Sequence, residues 1–338
     1  MLISRTPFRI SFFGGGTDYP VWYSQDGGAV LSTTIDKYCY LNCRFLPPYF
    51  SIKHRIVWSH IETVNSISEI LHPAAREGLR HLGFDDTLGV EIHHQGDLPA
   101  RAGMGSSSAF AVGLINALTS LKGGRLEKKE LARQAIELER DILKEHVGSQ
   151  DQVAAAFGGF NFILFDRDGS FRVQPVPIPQ ARLANLESHL MLFYTGMNRL
   201  ASEVASGIVE NIPHKRETLT KIRKLVDQAF SVLTGSGDLD EFGRLLHRGW
   251  ILKQDLSTSV TNARIDDVYE RAMACGALGG KLLGAGGAGF MVFYVPPAKQ
   301  EDVKRSLKDH LHVSFKFENQ GSVVIDHEKV WRSNGHGP

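Results

Sequence analysis

Apolar and polar residues alternate along the first hundred positions in short runs rich in β-branched and aromatic side chains. RISFF (9–13), AVLSTTI (29–35), YCYLNCRFL (38–46), HRIVW (54–58) and GVEIHH (89–94) are broken by Gly, Pro and Asp between them. Runs of that length and composition predict strands. A helical period interrupts them over 68–82, and two longer ones follow over about 105–121 and 128–145. In the first of these Leu114, Leu118 and Leu121 stand at i, i+4 and i+7, which predicts one buried stripe. Strand patterns return at GFNFILF (159–165) and HLMLFYT (189–195). From 202 to 275 the pattern is almost wholly helical, with Leu245, Trp250 and Leu252 as core candidates. GFMVFYV (289–295), SFKF (314–317) and SVVI (322–325) then read as strands around a helix over 299–310. The fold class is α+β. A chain of 338 residues exceeds the usual size of a single core, and the three prolines of VQPVPIPQ (173–180) suggest a division into 1–190 and 191–338. No repeat interrupts this order, and RSNGHGP at the end reads as a frayed tail.

Charge narrows the function. Thirty-eight basic residues balance thirty-seven acidic ones, for a net +1, which leaves no electrostatic footprint for nucleic acid or an acidic membrane. The apolar runs are too short to span a bilayer and the N-terminal stretch lacks a cleavage site, so a cytoplasmic protein is expected. Cys39, Cys43 and Cys275 show no ligand spacing and suit a reducing compartment.

One stretch breaks the helix rules. LPARAGMGSSSA (98–109) crowds glycines and serines, poor helix formers, at the mouth of the 105–121 helix. Helix N-termini expose unpaired N–H groups and the positive end of the macrodipole, and glycine lets an anion approach the backbone. Gly103, Met104, Gly105, Ser106, Ser107 and Ser108 therefore form either an anion cradle, with a hydroxyl to spare for a nucleotide's Mg²⁺, or an ordinary serine-capped turn. The spacing is not that of a Walker A loop, and no lysine follows the second glycine.

A second anomaly is Glu139. Its helical neighbours are Ala135, Ile136, Ile142 and Leu143, all apolar, whereas Glu137 is surrounded by Arg133, Gln134, Arg140 and Asp141. A carboxylate aimed at an apolar face needs a cation, either a metal ion or a structural arginine. Asp151 follows in the first turn of a short helix, where Ser149 and Gln152 have capping-box spacing. It is either a dipole-stabilised acid or a general base. Trp58 ends a strand near a loop and is either core or part of a base pocket.

Three segments, RTPFRISFFGGGTDYP (5–20), LPARAGMGSSSA and GGKLLGAGGAGF (279–290), resemble in order the three motifs of the GHMP kinases. The resemblance implies a ribosomal-protein-S5-like first domain, a ferredoxin-like second domain, and ATP and Mg²⁺ as cofactors. It implies ATP phosphates on residues 103–108, Mg²⁺ on Ser107 and Glu139, Asp151 as catalytic base, and Arg9 as its basic partner. Ser106 and Ser108 are left to cap the helix and touch phosphate. The spacing from Arg9 to Thr17, Asp18 and Tyr19 resembles that of sugar kinases acting on an anomeric hydroxyl, with Gly15 and Gly16 in place of a Glu-His pair. Gly14, Gly15, Gly16, Thr17, Asp18, Arg199 and Gly286 are thereby expected at the acceptor, and Ala288 replaces a usual glycine. Bare backbone at 15–16, together with TGMNRLAS (195–202), suggests an acceptor with a bulky or anionic far end. The strings FFGGGTDYP, TGMNRLAS and KLLGAGGAGF resemble those of GHMP kinases acting on heptose 7-phosphate, and this resemblance implies the 1,7-bisphosphate as product. Free fucose or galactose is the rival acceptor, and a sugar sensor without turnover is the rival class.

Overall fold

A computed structural model describes residues 1–196 and 201–326. The first half builds seven strands: β1 (Leu2–Phe13), β2 (Gly28–Leu46), β3 (His54–Val57), β4 (Ile61–Val64), β5 (Gly89–Gly96), β6 (Asn161–Phe165) and β7 (Phe171–Pro175). The two runs at 29–35 and 38–46 are thus one long, bent strand, β2, which pairs with β1, β5 and β6 in turn. All pairings in this sheet are antiparallel except β3 with β5. Its helices are α1 (Pro20–Asp26), α2 (Pro73–His81), α3 (Ser106–Leu121), α4 (Lys128–Ile136) and α5 (Gln150–Phe157). The helix expected over 68–82 is shorter, because Pro73 can only begin a helix and Ser66 caps a separate 3₁₀ turn at Ile67–Glu69.

α3 is enclosed on nearly all sides from Ser108 to Leu118, a correction to the single stripe. It is sandwiched between β1 and β2 on one side and α2, α4 and α5 on the other. α4 does not continue as an α-helix to 145. It loosens into a π-helical segment, Glu137–Ile142.

The second half contains α6 (Gln180–His189), α7 (Ala201–Asn211), α8 (Arg216–Thr234), α9 (Asp240–Leu256), α10 (Ala263–Ala274) and α11 (Gln300–Ser306). They accompany a four-stranded antiparallel sheet of β8 (Leu190–Tyr194), β9 (Gly279–Leu282), β10 (Phe290–Tyr294) and β11 (Leu311–Val313), in the order β11-β8-β10-β9. Leu245 and Trp250 are buried in it and Leu252 is half-buried. β12 (Phe317–Glu318) and β13 (Val323–Asp326) then return to the first sheet, pairing with β2 and β1. A single cut at 190 therefore does not separate the two sheets. No helix among the described residues is long and apolar enough to cross a membrane.

Candidate active site

The site lies where β1, the mouth of α3 and the first turn of α5 meet. Arg9 sits just after a register shift in β1 and is 4% exposed, so it is not the solvent-facing strand residue its neighbours Phe8 and Ile10 would allow. Its Nε and Nη2 donate to the two carboxylate oxygens of Asp151 at 2.7 and 2.6 Å, and its Nη1 donates to the Gly103 carbonyl at 2.7 Å. One guanidinium thus fixes the acid on α5 relative to the loop before α3, a fork geometry lysine could not supply.

That loop is held from behind. Gly103 (φ +79°) packs so closely on the chain at Leu283 that an added Cβ would stand 2.5 Å from the Leu283 carbonyl oxygen. Phe290 N–H donates to the Ala102 carbonyl at 3.1 Å. The third glycine motif is therefore the backstop of the second. Gly105, left-handed at φ +74°, is the N-cap of α3 and offers no side chain. Neither Ser106 nor Ser108 caps the helix. Ser106 Oγ accepts from the Arg101 N–H at 3.2 Å, and Ser108 is buried with its hydroxyl donating to Glu139 Oε2 at 2.7 Å. Ser108 is thus directed away from any phosphate. Ser107 is exposed, and Met104 buries its side chain while its carbonyl accepts from Arg9 N–H.

Glu139, in the π segment, is 2% exposed, and none of the ion pairs among the described residues includes it. Burial pushes its pKa up to about 7, against hydrogen bonds from Ser108, Ser107 and Gln152. Gln152 Nε2 donates to the same Oε2 at 2.6 Å, while Oε1 has no partner. An orphaned buried carboxylate oxygen beside an exposed serine hydroxyl suits a hard divalent cation, which takes few protein ligands and completes its shell with phosphate and water. The capping-box expectation fails here: Ser149 makes no cap bond, and Gln152 is spent on Glu139.

On the other side of Asp151 lies the glycine turn after β1. Asp18 is 1% exposed and accepts from the Gly16 N–H at 3.0 Å and, weakly, the Gln150 N–H at 3.4 Å. Burial, then the charge of Asp151, raises it to about 6. Thr17 does not face a ligand. Its hydroxyl sits 2.8 Å from the Gly14 carbonyl and 2.9 Å from that of Ala29, and accepts from Ala29 N–H, so it is spent on tying the turn to β2. At Gly15 a side chain would meet nothing closer than Gln150 Nε2, 3.7 Å away. Gly286 packs against the Val260 backbone, which would stand 2.7 Å from an added Cβ, and so serves the backstop turn. Arg199 lies outside the described residues. Trp58 stays half-buried, donating to Glu62 at 2.8 Å beside His72.

Sequence reasoning missed three residues at this junction. Gln150 accepts from Ser11 Oγ at 2.5 Å and borders the glycine turn. Lys281 on β9 is buried, with Nζ 2.9 Å from the carbonyls of both Ser11 and Phe12. Lys253 on α9 reaches the Leu282 and Gly284 carbonyls at 2.8 and 2.6 Å. The neighbour rule that exposed Glu139 applies to Lys253 too, since Gly249, Trp250 and Leu256 share its face.

Comparison with known proteins places the chain among kinases. The models of the GHMP kinases N terminal domain and the GHMP kinases C terminal match residues 68–159 and 223–313. D-glycero-alpha-D-manno-heptose 7-phosphate kinase of Campylobacter jejuni is 28% identical over 97% of this chain and 98% of its own. A bifunctional fucokinase/GDP-fucose pyrophosphorylase of Arabidopsis thaliana is 26% identical over 93% of this chain but 32% of its own length. The crystal structure of a D-glycero-D-manno-heptose 1-phosphate kinase from Bacteroides thetaiotaomicron superposes with a TM-score of 0.79 and 26% identity, covering 96% of this chain and 99% of that one.

Proposed function

The chain belongs to the GHMP kinase family and is an ATP-dependent sugar kinase, and on that premise we propose that it phosphorylates the anomeric hydroxyl of D-glycero-D-manno-heptose 7-phosphate to give the 1,7-bisphosphate. The observation that carries the reading is the convergence of two unlike carboxylates. Asp151 is held by Arg9 beside the loop before α3, and Asp18, linked to it through Gln150, is buried and makes no ion pair within salt-bridge distance among the described residues. Asp18 is suited to accept hydrogen bonds from sugar hydroxyls, which would offset its desolvation.

In this mechanism the ATP phosphates rest on the backbone N–H groups at the start of α3, where the helix dipole favours negative charge. Asp151 accepts the proton of the anomeric hydroxyl as that oxygen bonds to the γ-phosphorus and ADP leaves. Arg9 fixes the carboxylate and places positive charge beside the developing alkoxide. Ser107 and Glu139 would hold Mg²⁺, which when bound would supply charge neutralisation on the phosphates. Arg199, together with the bare backbone at Gly15 and Gly16, would receive the 7-phosphate end. The product suits later nucleotide activation of the heptose for surface polysaccharide.

The family likeness to a fucokinase makes free fucose the competing acceptor. Purified protein with ATP, Mg²⁺ and separately heptose 7-phosphate, fucose or galactose separates them, with the phosphorylated carbon assigned by ³¹P-coupled NMR. We expect the 1,7-bisphosphate. Turnover of fucose and none of heptose 7-phosphate would overturn the assignment.

A further inference from the structure

The junction between the two sheets holds two lysines that bond main-chain carbonyls. Lys281 is 8% exposed and Lys253 is half-buried, and neither forms an ion pair with a carboxylate among the described residues. Each side-chain nitrogen has instead two main-chain carbonyls within 3 Å. Two acceptors satisfy an amine –NH₂ fully, whereas an ammonium has a third N–H that must find another acceptor or stay unpaired in a buried place.

The two seats are also informative. Lys281 holds Ser11 and Phe12, at the register shift of β1 two residues beyond Arg9. Lys253 holds the Leu282 and Gly284 carbonyls, and Gly284 is the residue that packs against Gly103, an added Cβ lying 2.5 Å from the Gly103 Cα. Both nitrogens therefore stand behind the elements that would flank transferring phosphates.

We propose that Lys281 is a positioning residue that takes up a proton from solvent when a phosphate-bearing ligand enters, with Lys253 bracing the glycine turn beside it, so that the second sheet contributes positive charge only in the occupied site. The proposal rests on the kinase reading above.

The surrounding charges agree. Lys281 is faced by Arg9 from β1, Asp18 from the glycine turn and Lys253 from α9, with Asp151 behind Arg9. At the far end of β9, His247 and Tyr269 are bonded to each other at 2.7 Å. Burial, then the charge of Arg9, brings Lys281 down to about 7, Asp18 opposing. Burial, then Lys281 and Arg9, pushes Lys253 well below the ordinary lysine range. A nucleotide's phosphates reverse the sign of that field, and the proton then binds.

The test is calorimetric titration of the full chain with ADP in EDTA at pH 8, in two buffers of different ionisation heat. Every protein titrated carries Glu139→Gln, so that phosphates arriving without metal cannot drive a proton onto that carboxyl, and wild type here means Lys281 retained in that background. Wild type should take up close to one proton per ADP, and its Kd for ADP should rise toward about tenfold between pH 8 and 9. Lys281→Met should lose most of the uptake. Lys281→Arg, charged throughout, should bind ADP without uptake and with a flat pH profile, which a purely structural role would not produce. If Lys281→Met does not fold, wild type and Lys281→Arg still decide the matter. ADP binding to wild type with no proton uptake, or undiminished uptake in Lys281→Arg, would overturn the lysine role and leave the kinase reading standing. Failure of ADP to bind the otherwise unaltered protein either in EDTA or with Mg²⁺ would refute both.

Discussion

Replacing Glu139 by Gln should make the ligand-free protein more stable and the enzyme nearly inactive. The buried carboxyl has a pKa raised from an ordinary 4.5 to about 7, chiefly by burial. A displacement of that size corresponds to about 3 kcal/mol of preference for the neutral form. The sign follows from proton linkage. Below pH 4.5 the group is protonated in both folded and unfolded chains and costs nothing. As pH rises to 7 the unfolded chain ionises first, so stability falls, and above 7 the full penalty remains. Gln is neutral at every pH and keeps the shape: its carbonyl can accept from Ser108 and Gln152 as Oε2 does, and its NH₂ takes the place of the unpartnered Oε1. Urea unfolding in EDTA should therefore show Glu139→Gln more stable than wild type by up to about 3 kcal/mol at pH 8 and nearly equal to it at pH 4.5. The variant should lose Mg²⁺-dependent ATP binding and turnover. Equal destabilisation at both pH values, or unimpaired dependence of activity on Mg²⁺, would refute the view that this carboxylate is held in readiness for a cation.

Two further outcomes follow from the same geometry. Asp151→Asn should leave nucleotide affinity close to wild type while kcat falls by about 10²- to 10⁴-fold, the usual contribution of a positioned base; wild-type-like turnover would remove Asp151 from proton transfer. Gly148→Ala would set a methyl 1.9 Å from Asp18 Oδ2, so KM for the sugar should rise well above wild type with that for ATP unchanged, and steady-state kinetics giving equal losses for both would show that Asp18 is not a sugar ligand.

Much of the site could be read before any coordinates, for identifiable reasons. Glu139 betrayed itself because helical spacing fixes which side chains are neighbours, and four apolar neighbours are a local fact. Arg9, the glycine turn and the phosphate loop were legible as motifs, since backbone approach to an anion constrains residue type directly. What escaped depends on distant packing. Ser107 and Ser108 look alike in sequence, yet Ser107 is an exposed residue beside Glu139 and Ser108 is buried with its hydroxyl on it, because α3 is enclosed between a sheet and three helices. The π-helical turn that carries Glu139 has no propensity signal of its own. Thr17 matched a ligand motif but is consumed by the turn it sits in. Lys281 has carbonyl partners some 270 positions earlier, a separation no local pattern encodes.

The pairing of Leu2 with Asp326 has a consequence for how the molecule is made. β1 leaves the ribosome long before β13, the strand that covers its outer edge. At cellular elongation rates that edge waits on the order of tens of seconds, and an unpaired strand edge is a template for pairing with another chain. Nascent copies translated close together on one messenger should therefore be the point at which this protein aggregates, and co-translational chaperone demand should persist until the final strands clear the exit tunnel.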